Sequence, residues 1–325
     1  MPLGPPTTPA PPAPVPPGAP AGGAAPAVPA GGPGVAPAAT SAASSTAGPA
    51  PVPVSAARAE RDAVATAATA GALRRQHQGN DPTQLARRIA AALNVNIFDF
   101  GFYWVTGLTT DGTIVVANSY GIGYIPANVR LPQGVQMATA DESIPATDRA
   151  RWATYPILAV QGWTQHHNQR LRVVIATEDQ FQGFDAGVAK IVLQPDDMPE
   201  DGTMQGRTRL EILAPGAAST LSATRDDELS KLLPVAQTDS TAPEDKSAAL
   251  WFEVCKPLMS TSTARVNAHL EAMRTYSDHA MQLALHKAQT ATDATEQRAA
   301  IADWVYWQHE SSIIAEAMET ATASS

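Results

Sequence analysis

The pair Asp111 and Gly112 restricts the fold of this chain most strongly, because β-branched and aromatic residues flank it on both sides. Such an Asp-Gly pair predicts a β-hairpin, since a type I′ turn needs positive φ at both central residues. After the turn, the unbroken apolar run 114–116 predicts a strand that is buried on both faces. Before it, aromatic residues alternate as one face of a strand requires, at Phe98, Phe100, Phe102 and Trp104.

The first quarter of the chain differs from the rest in composition. Seventeen of the 28 prolines lie within residues 2–53, mixed with Ala and Gly, and no charged side chain precedes Arg58. Such a segment buries too little apolar surface to offset the entropy lost on ordering, so residues 1–55 are predicted to be disordered and partly polyproline II. Residues 1–79 as a whole are predicted to form a disordered Pro/Ala-rich tether. The Pro-Pro pairs in it also suit an aromatic groove, although composition favours a spacer.

Targeting signals and cysteines give a consistent expectation about the compartment. No basic segment followed by an apolar stretch opens the sequence, so we expect no cleavable secretory signal. No uninterrupted apolar run reaches about 18 residues, so we expect no transmembrane segment. Cys255 is the single cysteine, which excludes an internal disulfide and a cysteine-based zinc cluster. The sequence therefore predicts a protein that folds in a reducing cytoplasm.

The net charge of −9 is unevenly distributed along the chain. Residues 1–80 carry a net charge of +2, residues 81–215 a net charge of −4 and residues 216–325 a net charge of −7. Nucleic-acid binding depends on Lys and Arg that neutralise phosphates, and the sequence has no basic stripe. The composition therefore argues against nucleic acid and against an anionic membrane surface as partners.

Residues 80–216 are predicted to form a small α+β domain, with an antiparallel sheet and flanking helices. The first helix is predicted to begin at Pro82, with Asp81 as its N-cap, and to end near Asn94. Its apolar stripe is predicted to consist of Leu85, Ile89 and Leu93. The elements predicted after the hairpin are a helix over 146–152 and strands over 171–177, 188–193 and 207–213.

Residues 217–325 are predicted to form a helical domain. Short helices over 226–233 and from Pro243 precede two longer helices, one over about 260–289 and one that starts at the N-cap Asp293. Two long helices joined by a short Thr/Asp turn, each with an apolar stripe, predict an antiparallel helical hairpin. The two stripes are Val266, Leu270, Met273, Ser277, Ala280 and Ala284, and Ala300, Trp304, Trp307, Ser311, Ile314 and Met318.

No motif in the sequence predicts a catalytic, cofactor-binding or metal-binding site. His279 and His286 share a helix face but have no third ligand at a recognisable spacing. Cys255 lies among apolar residues, where a thiol is usually inert. Gly121 and Gly123 lack the third glycine of a dinucleotide fingerprint, so they predict a bulge or a close backbone approach instead. The sequence therefore predicts a protein that is not an enzyme and needs no cofactor.

One short motif indicates a binding role. Tyr306 and Glu310 fit the pattern Tyr-x-x-x-Glu, which resembles the helical secretion signal of type VII (ESX) substrates. The spacing of four places both side chains on one strip of a helix, predicted to be exposed beside Trp304 and Trp307. Tyr306, Trp307 and Glu310 are therefore predicted to bind a partner. The alternative is that these side chains pack within the helical hairpin.

The chain also resembles a protein family. A Pro/Ala-rich head is followed by Trp-Val-Thr-Gly-Leu at 104–108, Asp-Gly-Thr at 111–113, Gly-Tyr-Ile-Pro at 123–126 and an Ala-rich helical tail with tryptophans. These features are similar to the C-terminal region of the mycobacterial ESX secretion-associated proteins of the EspK type, over about residues 81–322. The resemblance implies a cytoplasmic binding or chaperone-like role toward a secreted ESX substrate or the export ATPase. The chain is shorter than expected for that family.

Three functional hypotheses remain. The first is a non-enzymatic accessory or chaperone-like protein of type VII secretion, which engages a secreted substrate or the export machinery. The second is an enzyme with a site between two domains, which would need convergent polar groups in a pocket around His166 or Tyr120. The third is a secreted type VII substrate or effector, which uses Tyr306 and Glu310 as its export signal. We favour the first hypothesis.

Overall fold

The computed structural model describes residues 81–323, apart from 237–240 and 263. The predicted tether, residues 1–79, lies outside the described residues. The described part contains a five-stranded sheet, helices on both of its faces and a C-terminal helical hairpin. This architecture confirms the predicted α+β class.

The sheet is built around the predicted hairpin, and its strand order is β3-β2-β1-β4-β5. β1 pairs antiparallel with β2 and with β4, whereas β3 and β5 pair parallel with their neighbours. The sheet is mixed rather than purely antiparallel because the chain reaches both edge strands through crossover connections instead of tight turns. The strands are β1 (Trp104–Thr109), β2 (Ile114–Asn118), β3 (Gln136–Met137), β4 (Leu171–Ala176) and β5 (Ala189–Val192).

The hairpin turn lies at the predicted position but is of a different type. Gly112 has a φ of 94°, whereas Asp111 does not have a positive φ, so the turn is not type I′. The N–H of Gly112 donates a hydrogen bond to the carbonyl of Thr109 at 3.2 Å, and the Asp111 carboxylate accepts one from the N–H of Thr113 at 3.3 Å. Glycine supports the turn because it adopts positive φ without a Cβ clash.

Helices cover both faces of the sheet. Helix α3 (Pro156–His166) packs on one face, and helix α1 (Pro82–Leu93) shares a hydrophobic core with the other. Every residue of β2 is buried, which confirms the prediction from the run 114–116. Helix α2 (Ala146–Arg151) and strands β4 and β5 also form where they were expected. Helix α3 and the sheet share one buried cluster. The strand residues in it are Val105, Val115, Ala117, Val174 and Ala176.

Helix α1 begins as predicted, because the Asp81 carboxylate accepts a hydrogen bond from the N–H of Thr83 at 3.0 Å. Its buried face differs from the predicted stripe at one position. Leu85 is 41% exposed, whereas Ala86 and Ala90 are completely buried. The prediction for Leu85 is therefore wrong, because small alanines allow the helix to approach the sheet closely on a face that excludes Leu85.

The segment before β1 is not part of a strand. Phe98 is 90% exposed and Phe100 is 54% exposed, so the prediction that they extend the strand face is wrong. Asn96 has a φ of 55° and Gly101 has a φ of 71°, which interrupts the extended backbone that period-two alternation requires. Two aromatic residues of the predicted series are buried, Phe102 and Trp104.

Residues 207–213 were expected to form a strand, and this prediction is wrong. They contain helix α4 (Arg209–Leu213), which is followed directly by helix α5 (Pro215–Ala223). The hydroxyl of Thr208 accepts from the N–H of Glu211 at 3.1 Å, and the Glu211 carboxylate accepts from the N–H of Thr208 at 2.7 Å. This reciprocal capping box stabilises a helix start and outweighs the strand-like composition of the segment.

The C-terminal helical hairpin consists of α7 (Arg265–Thr290) and α8 (Ala294–Ala323), which confirms the prediction. The carboxylate of Asp293 accepts a hydrogen bond from the N–H of Glu296 at 2.8 Å, as expected for its N-cap role. Most residues of the two predicted stripes are buried, whereas Val266, Ala284, Trp304 and Met318 are partly buried.

The short elements before this hairpin differ from the predictions in detail. Residues Asp226–Leu232 form a 3-10 helix, and α6 (Ser247–Cys255) begins later than the predicted start at Pro243. The carboxylate of Asp245 accepts a hydrogen bond from the N–H of Ser247 at 2.9 Å, which favours a helix start at that point.

One continuous hydrophobic core extends from the sheet into the helical hairpin. It includes Trp104 and Tyr120 from the sheet region and Met273 and Ile314 from the two long helices. Residues 80–216 and 217–325 thus share a core, and their division into two domains stays a prediction. Within the described residues, no helix is both long and apolar enough to cross a membrane.

Candidate partner-binding groove

Four aromatic side chains from distant parts of the chain line an open cavity of about 600 Å³. Tyr124 follows β2, Trp251 belongs to α6, Tyr276 to α7 and Trp307 to α8. Each of the four rings contacts the next one around the cavity. The centroid distances are 5.5 Å for Tyr124 and Trp251, 4.8 Å for Trp251 and Tyr276, 5.4 Å for Tyr276 and Trp307, and 6.4 Å for Tyr124 and Trp307. We call this cavity and its four rings the aromatic groove.

Two glycines bring Tyr124 to the groove. Gly121 has a φ of 63° and Gly123 a φ of 77°, a conformation that favours glycine. A Cβ on Gly123 would lie 2.6 Å from a methyl carbon of Leu213 in α4, so the backbone approaches that helix closely. This confirms the close backbone approach predicted from the two glycines.

Arg209 forms the inner wall of the aromatic groove. Its guanidinium carbon lies 4.3 Å from the ring centre of Tyr306 and 4.9 Å from that of Trp307, within the range of cation–π contacts. One guanidinium nitrogen donates to the carboxylate of Asp303 at 2.8 Å. Arg209 is only 8% exposed, so its stacking and its ion pair hold a cation in a fixed position beside the aromatic rings.

Asp99 lies at the edge of the groove, between the two exposed residues Phe98 and Phe100. Its carboxylate accepts a hydrogen bond from the indole N–H of Trp251 at 2.8 Å. The hydroxyl of Tyr120 donates to the carbonyl of Phe100 at 2.6 Å, which fixes the backbone of this segment. Phe98 and Phe100 thus present large apolar side chains to solvent on either side of Asp99.

Polar groups of α7 and α8 bind the backbone directly behind the groove. The hydroxyl of Tyr306 accepts from the N–H of Ile125 at 2.8 Å, and Nε2 of His269 accepts from the N–H of Gly121 at 3.0 Å. Because Nε2 is an acceptor, we assign the proton of His269 to Nδ1, which lies 2.9 Å from the carbonyl of Val254. Burial lowers the pKa of His269 to about 4, so the ring is neutral at pH 7.

Glu310 lies in the same region and is completely buried. Neither of its carboxyl oxygens has a hydrogen-bond partner in the described part of the chain. Burial raises the pKa of Glu310 to about 8, against the weaker opposing effects of Arg209 and of the nearby Tyr306 hydroxyl, so the carboxyl group is mostly protonated at pH 7. Burial and the nearby Glu310 also raise the pKa of Tyr306 well above its ordinary value. We call His269, Tyr306 and Glu310 the buried polar layer.

The three residues predicted to bind a partner occupy two different environments. Trp307 lines the aromatic groove, as a partner-binding residue would. Tyr306 and Glu310 are both 0% exposed, so the expectation that they form an exposed strip is wrong. Helix α8 packs against α7 on one side and against the 121–125 backbone on another, so its buried arc is wider than a single stripe. A direct role of Tyr306 and Glu310 in partner binding stays a prediction.

The other candidate residues lie outside the aromatic groove. His167 contacts the carboxylate of Asp141 at 2.8 Å, and the imidazole of His279 accepts a hydrogen bond from the N–H of Lys246 at 2.9 Å. Cys255 is buried, with its sulfur 3.2 Å from the hydroxyl of Tyr120. Among the residues that the structure describes, no group of three or more His, Cys, Asp or Glu is arranged to hold a metal ion.

The residues of the groove that the sequence did not single out are Asp99, Tyr124, Arg209, Trp251 and Tyr276. They come from five separate segments, so no local spacing connects them. One feature of the sequence does indicate the segment around Asp99. Asn96 and Gly101, both residues that tolerate positive φ, bracket an aromatic segment and indicate a loop that holds its aromatic side chains in solvent.

Known proteins resemble this chain over most of its length. The model of the family described as the EspK C-terminal domain matches residues 92–319. An ESX-1 secretion-associated protein EspK of Mycobacterium tuberculosis is 53% identical over 274 residues, which are 83% of this chain and 37% of that protein. An uncharacterised protein of Mycolicibacterium smegmatis is 51% identical over 276 residues, which are 84% of this chain and 36% of that protein. The chain thus spans just over a third of the length of these relatives.

A likeness to a solved structure was also found. It is a fragment of a conserved hypothetical protein of Mycobacterium tuberculosis, with a TM-score of 0.35 and 18% identity, over 74% of this chain and 96% of the fragment. This likeness is too low to support an argument about fold or function.

Proposed function

Because the chain belongs to the EspK C-terminal domain family, we propose that it is a non-enzymatic accessory protein of type VII secretion that binds a protein partner in the aromatic groove. The family match confirms the resemblance inferred from residues 104–126. A relative carries the name of an ESX-1 secretion-associated protein, which supports a role in type VII secretion. The binding role and the choice of partner belong to the proposal.

The aromatic groove is the observation that carries this proposal. Tyr and Trp are favoured at the centres of protein interfaces because they bury a large area with few rotatable bonds. Here four such rings line one cavity, and two exposed phenylalanines flank Asp99 at its edge. Rings that contact one another keep fixed positions, so little side-chain entropy is lost when a partner binds.

The chemistry of the groove supports binding rather than catalysis. Its one guanidinium, that of Arg209, is already paired with Asp303, and its carboxylate, that of Asp99, is bound to Trp251. Ser247 lines the groove beside the carboxylate of Asp245, but the described residues that line the groove include no His to act as the general base that activates a serine. A nucleophile hydrogen-bonded to a base is the usual requirement for covalent catalysis.

We propose a chaperone-like role in which the partner is a secreted type VII substrate, held in the cytoplasm before its export. The export ATPase is the alternative partner. A role for this chain as an exported substrate would depend on the Tyr306–Glu310 pattern. Both of these side chains are completely buried, so a receptor would have to open α8 before it could bind them.

The proposal can be tested by affinity capture with groove variants. The full chain with Trp251→Ala and Tyr276→Ala is compared with the wild type in a mycobacterial lysate, and bound proteins are identified by mass spectrometry. We expect the wild type to retain a type VII substrate and the double variant to lose it. Tyr155→Ala is the matched control, because Tyr155 is another partly buried aromatic residue, which contacts Phe184 instead of the groove.

Two outcomes would contradict the proposal. One is that the wild type retains no type VII component. The other is that the groove variant binds the same component as strongly as Tyr155→Ala does. Thermal unfolding of each variant shows whether a loss of binding reflects a loss of fold.

A further inference from the structure

A second cavity lies along helix α1, and none of its lining residues lines the aromatic groove. Its volume is about 370 Å³. One wall is a stripe of α1 that consists of Leu85, Arg88, Ile89 and Ala92, and the other wall comes mainly from residues 197–205. We call this cavity the α1 groove.

Two contacts attach the 197–205 wall to α1. A guanidinium nitrogen of Arg87 donates to the carboxylate of Asp197 at 2.7 Å. A Cβ on Gly202 would lie 2.5 Å from the carbonyl oxygen of Ala92, so the wall approaches the last turn of α1 closely. The two walls of the α1 groove are therefore held at a fixed separation.

The described residues leave apolar surface uncovered in the α1 groove. Leu85 belongs to the predicted apolar stripe of α1, yet it is 41% exposed, and Met204 on the opposite wall is only partly buried. The apolar stripe of a surface helix normally faces packed side chains. The pattern of α1 therefore indicates that a further segment covers Leu85.

The position at which the described chain begins points to that segment. Asp81 is the N-cap of α1, and Leu85 lies one turn later, at the start of the groove. Gly79 and Asn80 come directly before Asp81. Both residue types favour turns, so the chain can reverse its direction there and lie along α1.

Leu73 is the large apolar residue that precedes Asp81 most closely in the sequence. The eight residues between these positions span up to about 28 Å when extended. The stripe of α1 that lines the groove is about 10 Å long, at the rise of an α-helix. The side chain of Leu73 can therefore reach every part of the α1 groove.

Charge favours the same segment. Residues 196–201 carry four carboxylates and the facing helix carries two guanidinium groups, at positions 87 and 88, which leaves a net charge of −2. Of the four carboxylates, only that of Asp197 forms an ion pair with a described residue. Residues 63–80 contain Arg74 and Arg75 and no Asp or Glu. The segment that is close enough to cover Leu85 thus has the complementary charge.

We propose that residues 72–75 of this chain occupy the α1 groove, with Leu73 against Leu85 and the two arginines beside the carboxylates of 196–201. The inference is independent of the proposed function, because the α1 groove and the aromatic groove share no lining residue. Burial of a leucine against apolar surface supplies the attraction, and the ion pairs fix the direction of the segment. The contact would anchor the Pro/Ala-rich head to α1.

Zero-length cross-linking tests this contact in the full chain. A carbodiimide joins a lysine amine only to a carboxylate that it touches, and residues 63–80 contain no Lys. Arg75→Lys therefore introduces an amine at the proposed contact, and we expect mass spectrometry to find it joined to residues 196–201. Arg58→Lys, the same substitution farther from α1 in the sequence, is the matched control and should lack this product.

Two results of the cross-linking would overturn the proposal. One is that Arg75→Lys gives no more of the product at 196–201 than Arg58→Lys does. The other is that, in a mixed sample, the cross-links join only an isotope-labelled chain to an unlabelled one. In that case the α1 groove would hold a second copy of the chain.

Hydrogen exchange measures whether the α1 groove is covered. Leu73→Asp places a charge against apolar surface, so it should release the segment and speed amide exchange in residues 198–205 by at least about threefold. Val54→Asp is the matched control, because Val54 is another aliphatic residue of the head, outside 63–80. The amides of α7 are the reference and should exchange equally in both variants. Equal exchange of residues 198–205 in the two variants would overturn the proposal.

Discussion

The junction between the hairpin and the C-terminal helices has two layers that differ in chemistry and exposure. In the buried polar layer, side chains of α7 and α8 bind the backbone at Gly121 and Ile125. In the aromatic groove, rings from the same two helices line an open cavity. Tyr306 and Trp307 are neighbours in sequence, yet they belong to different layers. The comparison teaches that one helix of this protein places a buried hydrogen-bonding side chain and a groove-lining ring at adjacent positions.

The two layers should respond differently to substitution. A buried donor or acceptor that loses its partner costs about 1–3 kcal/mol, because it gave up its hydrogen bonds to water. A ring at the edge of an open cavity loses only part of its packing when it is replaced. Changes in the buried polar layer should therefore lower stability, whereas changes at the edge of the aromatic groove should lower binding.

The largest effect is expected for Tyr306→Ala. The substitution leaves a cavity and removes the acceptor for the N–H of Ile125, so it should lower the free energy of unfolding by about 3–5 kcal/mol. Tyr306→Phe removes only the hydroxyl group and should cost about 1–3 kcal/mol. Urea unfolding of both variants gives the two values. A cost below about 1 kcal/mol for Tyr306→Ala would place this residue outside the buried polar layer.

The next effect is the pH dependence caused by Glu310. The carboxyl group ionises near pH 4.5 when unfolded and near pH 8 in the folded protein, so the folded state holds the proton more tightly. Raising the pH from 5 to 8 therefore stabilises the unfolded state much more than the folded state at this site. Stability from this group should fall by about 3 kcal/mol over that range.

Glu310→Gln tests this effect, because an amide has nearly the same shape and does not ionise. Its stability relative to the wild type should rise by about 3 kcal/mol between pH 5 and pH 8. His269 titrates in both proteins and cancels in the difference. Glu142→Gln, which replaces an exposed carboxylate by the same amide, is the matched control. A difference between Glu310→Gln and the wild type that stays constant with pH would mean that Glu310 is ionised in the folded protein.

Gly123 connects the two layers, since it precedes Tyr124 of the groove and its carbonyl lies 3.3 Å from the hydroxyl of Tyr306. Gly123→Ala should cost about 2–3 kcal/mol, from positive φ and from the contact with Leu213. Gly112→Ala is the matched control. Its φ is also positive, but no atom lies within 4 Å of the added Cβ, so it should cost about 1 kcal/mol.

Urea unfolding of the two glycine variants separates backbone strain from the close approach. Equal costs would mean that the 121–125 segment can move away from α4. In that case the position of Tyr124 would not depend on tight packing between the hairpin and the helices.

Local patterns in the sequence predicted the hairpin, the cap at Asp81 and the stripes of the C-terminal helices, because neighbouring residues determine those features. The groove could not be predicted in this way. Tyr124, Trp251 and Tyr276 meet only through the tertiary fold, and Arg209 lies in a segment with the composition of a strand. The burial of Tyr306 was missed for a related reason. A single apolar stripe describes a helix with one neighbour, whereas α8 has neighbours on two sides.

The smallest effect on stability is expected at the edge of the groove, for Phe98→Ser. Phe98 is 90% exposed, so its replacement should change the free energy of unfolding by less than about 0.5 kcal/mol. If the exposed ring contacts the partner, affinity should nevertheless fall by roughly tenfold, which corresponds to about 1.4 kcal/mol.

Val235→Ser is the matched control for Phe98→Ser, because Val235 is 94% exposed and does not line the groove. Unfolding in urea and affinity for the captured partner should be measured for both variants. Equal affinities would limit the binding surface to the cavity beyond Asp99. A stability loss above about 1 kcal/mol would instead show that Phe98 packs against the protein. In that case the edge of the groove would contribute to stability, as the buried polar layer does.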